Sequence, residues 1–215
     1  MNRDNVLGVL KTLSRKRAFV KSEVMCNCLS KTLKKSVEIS KISADIAADP
    51  SIIESVDNLT HYIAAENNAY QRGKKFECLN AGAMLNATSN SNYTALTNGS
   101  HDHGVDLIFE SKKQTVFMQM KYRSKSKLSK SDALLLTNYM ADTYEYYLGY
   151  SREEVIKAFL SPNENYKFVL VTNAKITKNA MHELNRHNWI VISENEVCDF
   201  LANPKSIMNK YNIAI

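Results

Sequence analysis

The sequence predicts an α/β fold in which a small sheet packs against helices and follows a helical segment. Three observations predict it. Residues 1–70 carry apolar side chains at helical spacing and, between Gly8 and Gly73, hold no glycine and a single proline. Two apolar runs, Val105–Phe109 and Thr115–Met120, flank a short polar turn, as in a β-hairpin. Residues 167–193 read as strand, helix, strand, the pattern of a β-α-β crossover added to that hairpin.

In the first segment Val6, Leu10 and Leu13 recur at helical spacing, as do Met25, Leu29 and Leu33, and then Ile53, Val56 and Ile63. Asp49-Pro50 reads as a helix stop and restart, because proline disfavours the α conformation in its predecessor and suits a helix's first turn. Arg15, Lys16, Arg17, Lys21, Lys31, Lys34, Lys35 and Lys41 make part of this segment basic, as either a solvated face or an accessory DNA-binding surface. Residues 1–70 are therefore expected to form a helical N-terminal region that binds DNA or a partner, and residues 71–215 a separate α/β domain.

That domain opens on a short helix, Lys74–Leu85, with Phe76, Leu79 and Ala83 along one side. A polar Asn/Ser/Thr stretch leads into the hairpin. A Tyr-rich insertion, 131–161, reads as two helices, the second capped by Ser151 with Glu154 in capping-box position and stopped before Pro162. Lys167–Thr172 is a continuous apolar strand, Ile176–His187 a helix, Trp189–Ser193 a strand, and Glu194–Leu201 a last short helix before Pro204. The order is helix, β-hairpin, helix, strand, helix, strand.

Charge is unevenly spread. The chain carries a formal +6, with a pI near 9.0, which favours an anionic partner such as nucleic acid. Between residues 111 and 130 lie Lys112, Lys113, Lys121, Arg123, Lys125, Lys127 and Lys130, with no acid among them. Four scattered cysteines lack paired zinc-finger spacing and are expected to be reduced thiols of a cytoplasmic, DNA-associated protein. No apolar run approaches the roughly 18 residues of a membrane span, and no apolar signal core is apparent.

The polar residues of the hairpin carry the chemistry. Strand alternation puts Phe117, Gln119 and Lys121 on one face and Val116, Met118 and Met120 on the other, so that the Met-rich face packs inward. Asp106 is expected on the preceding strand, facing them across the hairpin. A carboxylate, an amide oxygen and an ammonium then meet at one edge of a sheet. If such a site hydrolyses a phosphodiester, Asp106 is the main ligand of Mg²⁺ (or Mn²⁺), which takes oxygen ligands. The Gln119 side-chain oxygen is a second ligand and the Met120 backbone carbonyl a third, while Lys121 holds the attacking water. Glu77, one turn after Gly73, completes the metal site or binds a second cation; the glycine would let the helix end approach closely. Arg123, Lys125, Lys127 and Lys130 track phosphates, and His103, with His101, could contact phosphate or stay a loop residue. The tyrosines of the insertion either stack on bases or pack within it.

At these residues the sequence resembles the PD-(D/E)xK nuclease superfamily and, within it, the catalytic domain of Mrr-type restriction endonucleases, over roughly Gln71 to Leu201. "GKKFECL" is similar to the opening helix with its acidic residue, here Glu77. "DHGVD" (Asp102–Asp106) is similar to an Asp-Gly-Gly-x-Asp turn, with His103 replacing a glycine, and "FMQMKYR" to the strand carrying Gln-x-Lys. The segment from Val169 to Leu201 resembles the closing strand, helix, strand and helix, with Thr172 and Asn173 at similar places. Three features depart: Val105 stands where the superfamily has proline, the Tyr-rich insertion is long, and residues 1–70 do not read as a winged helix. The resemblance implies a restriction-endonuclease-like core and Mg²⁺-dependent DNA cleavage by Glu77, Asp106, Gln119 and Lys121, in a homodimer where both strands are cut. The competing expectation is an inactive nuclease-fold module that binds DNA or a protein.

Overall fold

The computed structural model describes residues 37–87, 93–96, 104–110, 114–124, 127–161, 164–213 and 215, with backbone alone at 93–96 and Glu110. Its centre is a five-stranded mixed sheet in the order β1-β2-β3-β4-β5, formed by Tyr93–Leu96, Leu107–Glu110, Thr115–Lys121, Tyr166–Thr172 and Ile190–Ile192. The first three strands are antiparallel, with Leu107 opposite Met118 and Glu110 opposite Thr115. β4 runs parallel to β3 over its full length, from Thr115 beside Tyr166 to Lys121 beside Thr172, and β5 parallel to β4. The parallel pairs need crossovers, which the helices supply.

Helical residues 37–48 (α1) precede a 3-10 turn at Pro50–Ile53 and α2, Val56–Ala64. The stop and restart at Asp49-Pro50 is present, with the Asp49 side chain accepting from the Ser51 N–H at 3.1 Å. Helix α3 spans Ala69–Ala87, and α4, Lys130–Leu148, with α5, Arg152–Leu160, fills the connection from β3 to β4. The Ser151/Glu154 capping box that opens α5 is present. Helix α6, Lys178–Arg186, links β4 to β5, and α7, Val197–Ala202, and α8, Pro204–Lys210, close the chain.

Both faces of the sheet are buried. Leu107, Phe109, Val116, Met118, Met120, Val169 and Val171 pack against Ile42, Leu59, Ile63, Phe76, Leu79, Phe200 and Met208 of the N- and C-terminal helices. Ile108, Phe117, Phe168 and Leu170 pack against α4, α5 and α6. The Met-rich face is therefore not the sole inward one: the Phe117 face becomes a second core because the insertion covers it. The insertion's tyrosines build that core. Tyr144 is buried, stacks on Tyr150 at 5.4 Å between ring centroids, and meets Phe168 at 5.3 Å. They pack rather than present their faces to a ligand.

Residues 42–63 contribute to the same core as the sheet, so α1 and α2 lie on the α/β body. At Gly82 an added Cβ would come within 3.0 Å of Ile39, which is why α1 crosses α3 at a residue with no side chain. Residues 1–36, with most of the basic segment, lie outside the described residues.

Candidate active site

The site forms where β3 runs past the start of β2. Strand β2 begins at Leu107, so Asp106 lies one residue before it, in a bend, and not within the strand as the apolar pattern suggested. Two residues earlier Gly104 sits at φ +72, a left-handed conformation that favours glycine. The ring of Tyr139 from α4 presses on it, and an added Cβ would lie 2.1 Å from Tyr139 Cγ. The bend still extends the ladder, because the Asp106 N–H donates to the Met118 carbonyl at 2.8 Å.

Asp106 is 5% exposed. Its Oδ2 accepts two hydrogen bonds of 2.7 Å, from Gln119 Nε2 and from the Met120 N–H. The Gln119 amide nitrogen is committed to Asp106, and its Oε1 is buried and without a hydrogen-bond partner. A buried acceptor of this kind costs on the order of 1–3 kcal/mol unless a donor or a cation satisfies it. A strand residue's N–H and C=O point to the same edge, so the Met120 carbonyl is turned towards Asp106 as well. These are hard oxygen donors with one carboxylate among them, a set that fits Mg²⁺, which is commonly held by one or two carboxylates together with waters and substrate oxygens. Among the described residues no three His, Cys, Asp or Glu side chains converge as a metal-binding group.

Lys121, two residues on and on the Gln119 face, extends to Asp132, with Nζ 3.4 Å from Oδ1. Burial pushes its ammonium below the usual lysine range, and the Arg123 charge adds to this, against the pull of Asp132 and Asp106. The Arg123 guanidinium also pairs with Asp132. Asp132 itself caps α4, accepting from the Ser129 N–H and hydroxyl at 2.9 and 2.8 Å in a capping box. Burial alone would raise its pKa. The Ser129 hydrogen bonds and the charges of Arg123 and Lys121 outweigh that and hold it at about 2.

Glu77 lies on α3, which packs against β3 with Phe76 beside the Tyr122 ring at 5.9 Å. Its Oε2 pairs with Lys74 Nζ at 2.7 Å. Burial would lower the Lys74 pKa, but the hydrogen bond and charge of Glu77, then the charge of Asp106, hold it above the ordinary lysine value. Gly73 does not mark a helix end: α3 starts four residues earlier at Ala69, and nothing lies within 4 Å of an added Cβ there.

The chain end of β3 is clamped to β4. Thr172 Oγ1 donates to the Lys121 carbonyl at 2.6 Å. The Asn173 side chain accepts from the Arg123 N–H at 2.9 Å and donates to the Arg123 carbonyl at 2.8 Å. Both side chains are buried and fix the backbone on which Lys121 rides. Of the expected phosphate contacts, Lys127 and Lys130 are exposed and Arg123 is partly buried against Asp132; His103 and Lys125 lie outside the described residues.

Two members of the site escaped the sequence. Asp132 sits two residues beyond the basic run, and Ser-x-x-Asp at 129–132 was the available signal. Lys74 follows Gly73 in a Lys-Lys pair, and only the orientation of α3 separates it from Lys75.

No protein-family model and no curated protein matches the sequence. Among solved structures, the chain is similar to the MspJI restriction endonuclease in complex with a 27-mer oligonucleotide, with a TM-score of 0.40 and 14% sequence identity. The match covers 73% of this chain and 33% of that one, so the chain spans about a third of that protein's length.

Proposed function

We propose that the chain is a metal-dependent DNA endonuclease that hydrolyses phosphodiester bonds with Mg²⁺ or Mn²⁺. One observation supports the proposal: the Asp106 carboxylate bonds the Gln119 amide, whose Oε1 is buried and unpartnered, and Lys121 follows two residues on along the same face of β3. Asp106 and Gln119 hold the ion, with the Met120 carbonyl beside them, and Glu77 is the auxiliary acid. Once bound, the ion lowers the pKa of a water and offsets charge on the phosphate. Lys121 orients the attacking water and stabilises the pentavalent phosphate. Asp132 holds the Lys121 amine on the Gln119 side of the strand. Lys127 and Lys130, with Lys125, Arg123 and His103, bind the DNA backbone. Cutting both strands takes two such sites, which a homodimer supplies.

A second reading has one observation in its favour. Asp106 Oδ2 already accepts two N–H bonds, so the carboxylate is stabilised without an ion, as in a nuclease fold that binds DNA or a protein and does not cut. Incubating the protein with supercoiled, linear and branched DNA in Mg²⁺ or Mn²⁺, beside Asp106→Ala and Lys121→Ala, separates the two. Cleavage by wild type and not by the variants supports the enzyme. Intact substrates throughout, with equal binding, leave the non-cutting module.

A further inference from the structure

Lys74 and Lys75 are adjacent on α3, yet about 100° of helix rotation separates them. Lys75 is held on the α2 side: its Nζ lies 3.7 Å from the centroid of the Tyr62 ring, 3.0 Å from Glu66 Oε1, and donates to the Tyr62 carbonyl at 3.2 Å. Lys74 turns to Glu77 instead. Its ammonium meets Glu77 at 2.7 Å, with the two side chains only 20% and 14% exposed, where water screens the pair less than on an open helix face. The Asp106 carboxylate acts on the same ammonium.

Charges at this end of the sheet are matched within the chain. Glu77 has Lys74, and Asp132 has Arg123 and Lys121. A two-metal phosphodiesterase site sets two divalent ions about 3.5–4 Å apart, and the double positive charge calls for several carboxylates. Among the described residues no three acids, histidines or cysteines converge to supply them. A second ion at Glu77 would also have to share its carboxylate with an ammonium already in contact.

We propose that Lys74 is the built-in second cation of this site, its ammonium taking at Glu77 the place a second divalent ion would fill, so that the chain works with one metal ion. This rests on the assignment of Asp106 and Gln119 as the cation site. Glu77 then acts by fixing Lys74, and Lys74 sets a positive charge on the α3 side of the scissile phosphate, opposite Lys121.

The test is a titration of the full chain with Mn²⁺, counting bound ions from the loss of the free-ion paramagnetic resonance signal. Wild type is expected to bind one Mn²⁺ per chain, and so is Lys74→Arg, which keeps the charge. Lys74→Gln is expected to gain a second, weaker ion, lost again in Lys74→Gln/Glu77→Gln, and its cleavage rate turns from first to second order in the metal. Two ions on wild type, or a single ion of unchanged affinity on folded Lys74→Gln, would overturn the proposal. Asp106→Asn binding as many ions as wild type would refute the underlying site assignment instead, and is thereby told apart.

Discussion

Replacing Asp132 with asparagine keeps an acceptor for Ser129 and removes the negative charge that faces Lys121 and Arg123. The folded-state pKa of about 2 against an ordinary 3.8 corresponds to about 2.4 kcal/mol, at roughly 1.36 kcal/mol per pH unit. The carboxylate reaches solvent, with its side chain 18% exposed, and screening reduces the expected contribution to about 1 kcal/mol. Because the folded pKa is depressed, the stabilisation is complete above the unfolded value near 3.8 and is lost as pH falls through 2. Urea unfolding should therefore find Asp132→Asn less stable than wild type by about 1 kcal/mol at pH 6, a shift of roughly 2–4 °C in Tm. The gap should halve by about pH 3 and close near pH 2. A gap that is absent at pH 6, or constant down to pH 3, would show that Asp132 contributes nothing through its charge.

Gly104→Ala puts a Cβ into the Tyr139 ring at a left-handed position, and should cost roughly 2–4 kcal/mol in thermal unfolding. Adding Tyr139→Ala should relieve the clash and leave the conformational part. Asn173→Ala strips both partners from the Arg123 backbone, so hydrogen exchange at the Arg123 amide should speed about 10–30-fold, equivalent to about 1.4–2 kcal/mol; unchanged exchange would rule out the clamp. Lys127→Gln/Lys130→Gln removes two exposed charges and should flatten the dependence of log Kd for DNA on log salt by about 2. An unaltered slope would remove these lysines from the DNA contact.

Where a pattern was local, the sequence disclosed it. The two-residue period of β3 placed Gln119 and Lys121 on one face, and Ser151 with Glu154 marked the start of α5, because alternation and capping depend on near neighbours alone. Strand β1 was missed: "YTAL" is four residues set in a polar stretch, and its strand character comes from pairing with β2. Helix α8 was missed as well, since it starts on Pro204, read as a stop, although proline suits a helix's first turn. The bend at Asp106 follows a turn at Gly104, whose close fit against Tyr139 is a contact across 35 positions that no local pattern carries. The Lys74–Glu77 pair was within reach as an i, i+3 pair, whereas the way α3 lies on β3 was not.

In the proposed mechanism Asp106 and Gln119 hold a divalent cation for phosphodiester hydrolysis. Anomalous scattering from Mn²⁺ in crystals of the chain bound to DNA tests it most directly. One peak is expected in contact with the Asp106 carboxylate and Gln119 Oε1, next to a phosphate oxygen, and it should disappear in Asp106→Asn. A DNA-bound crystal with no peak there, or with the ion unchanged in Asp106→Asn, would contradict it.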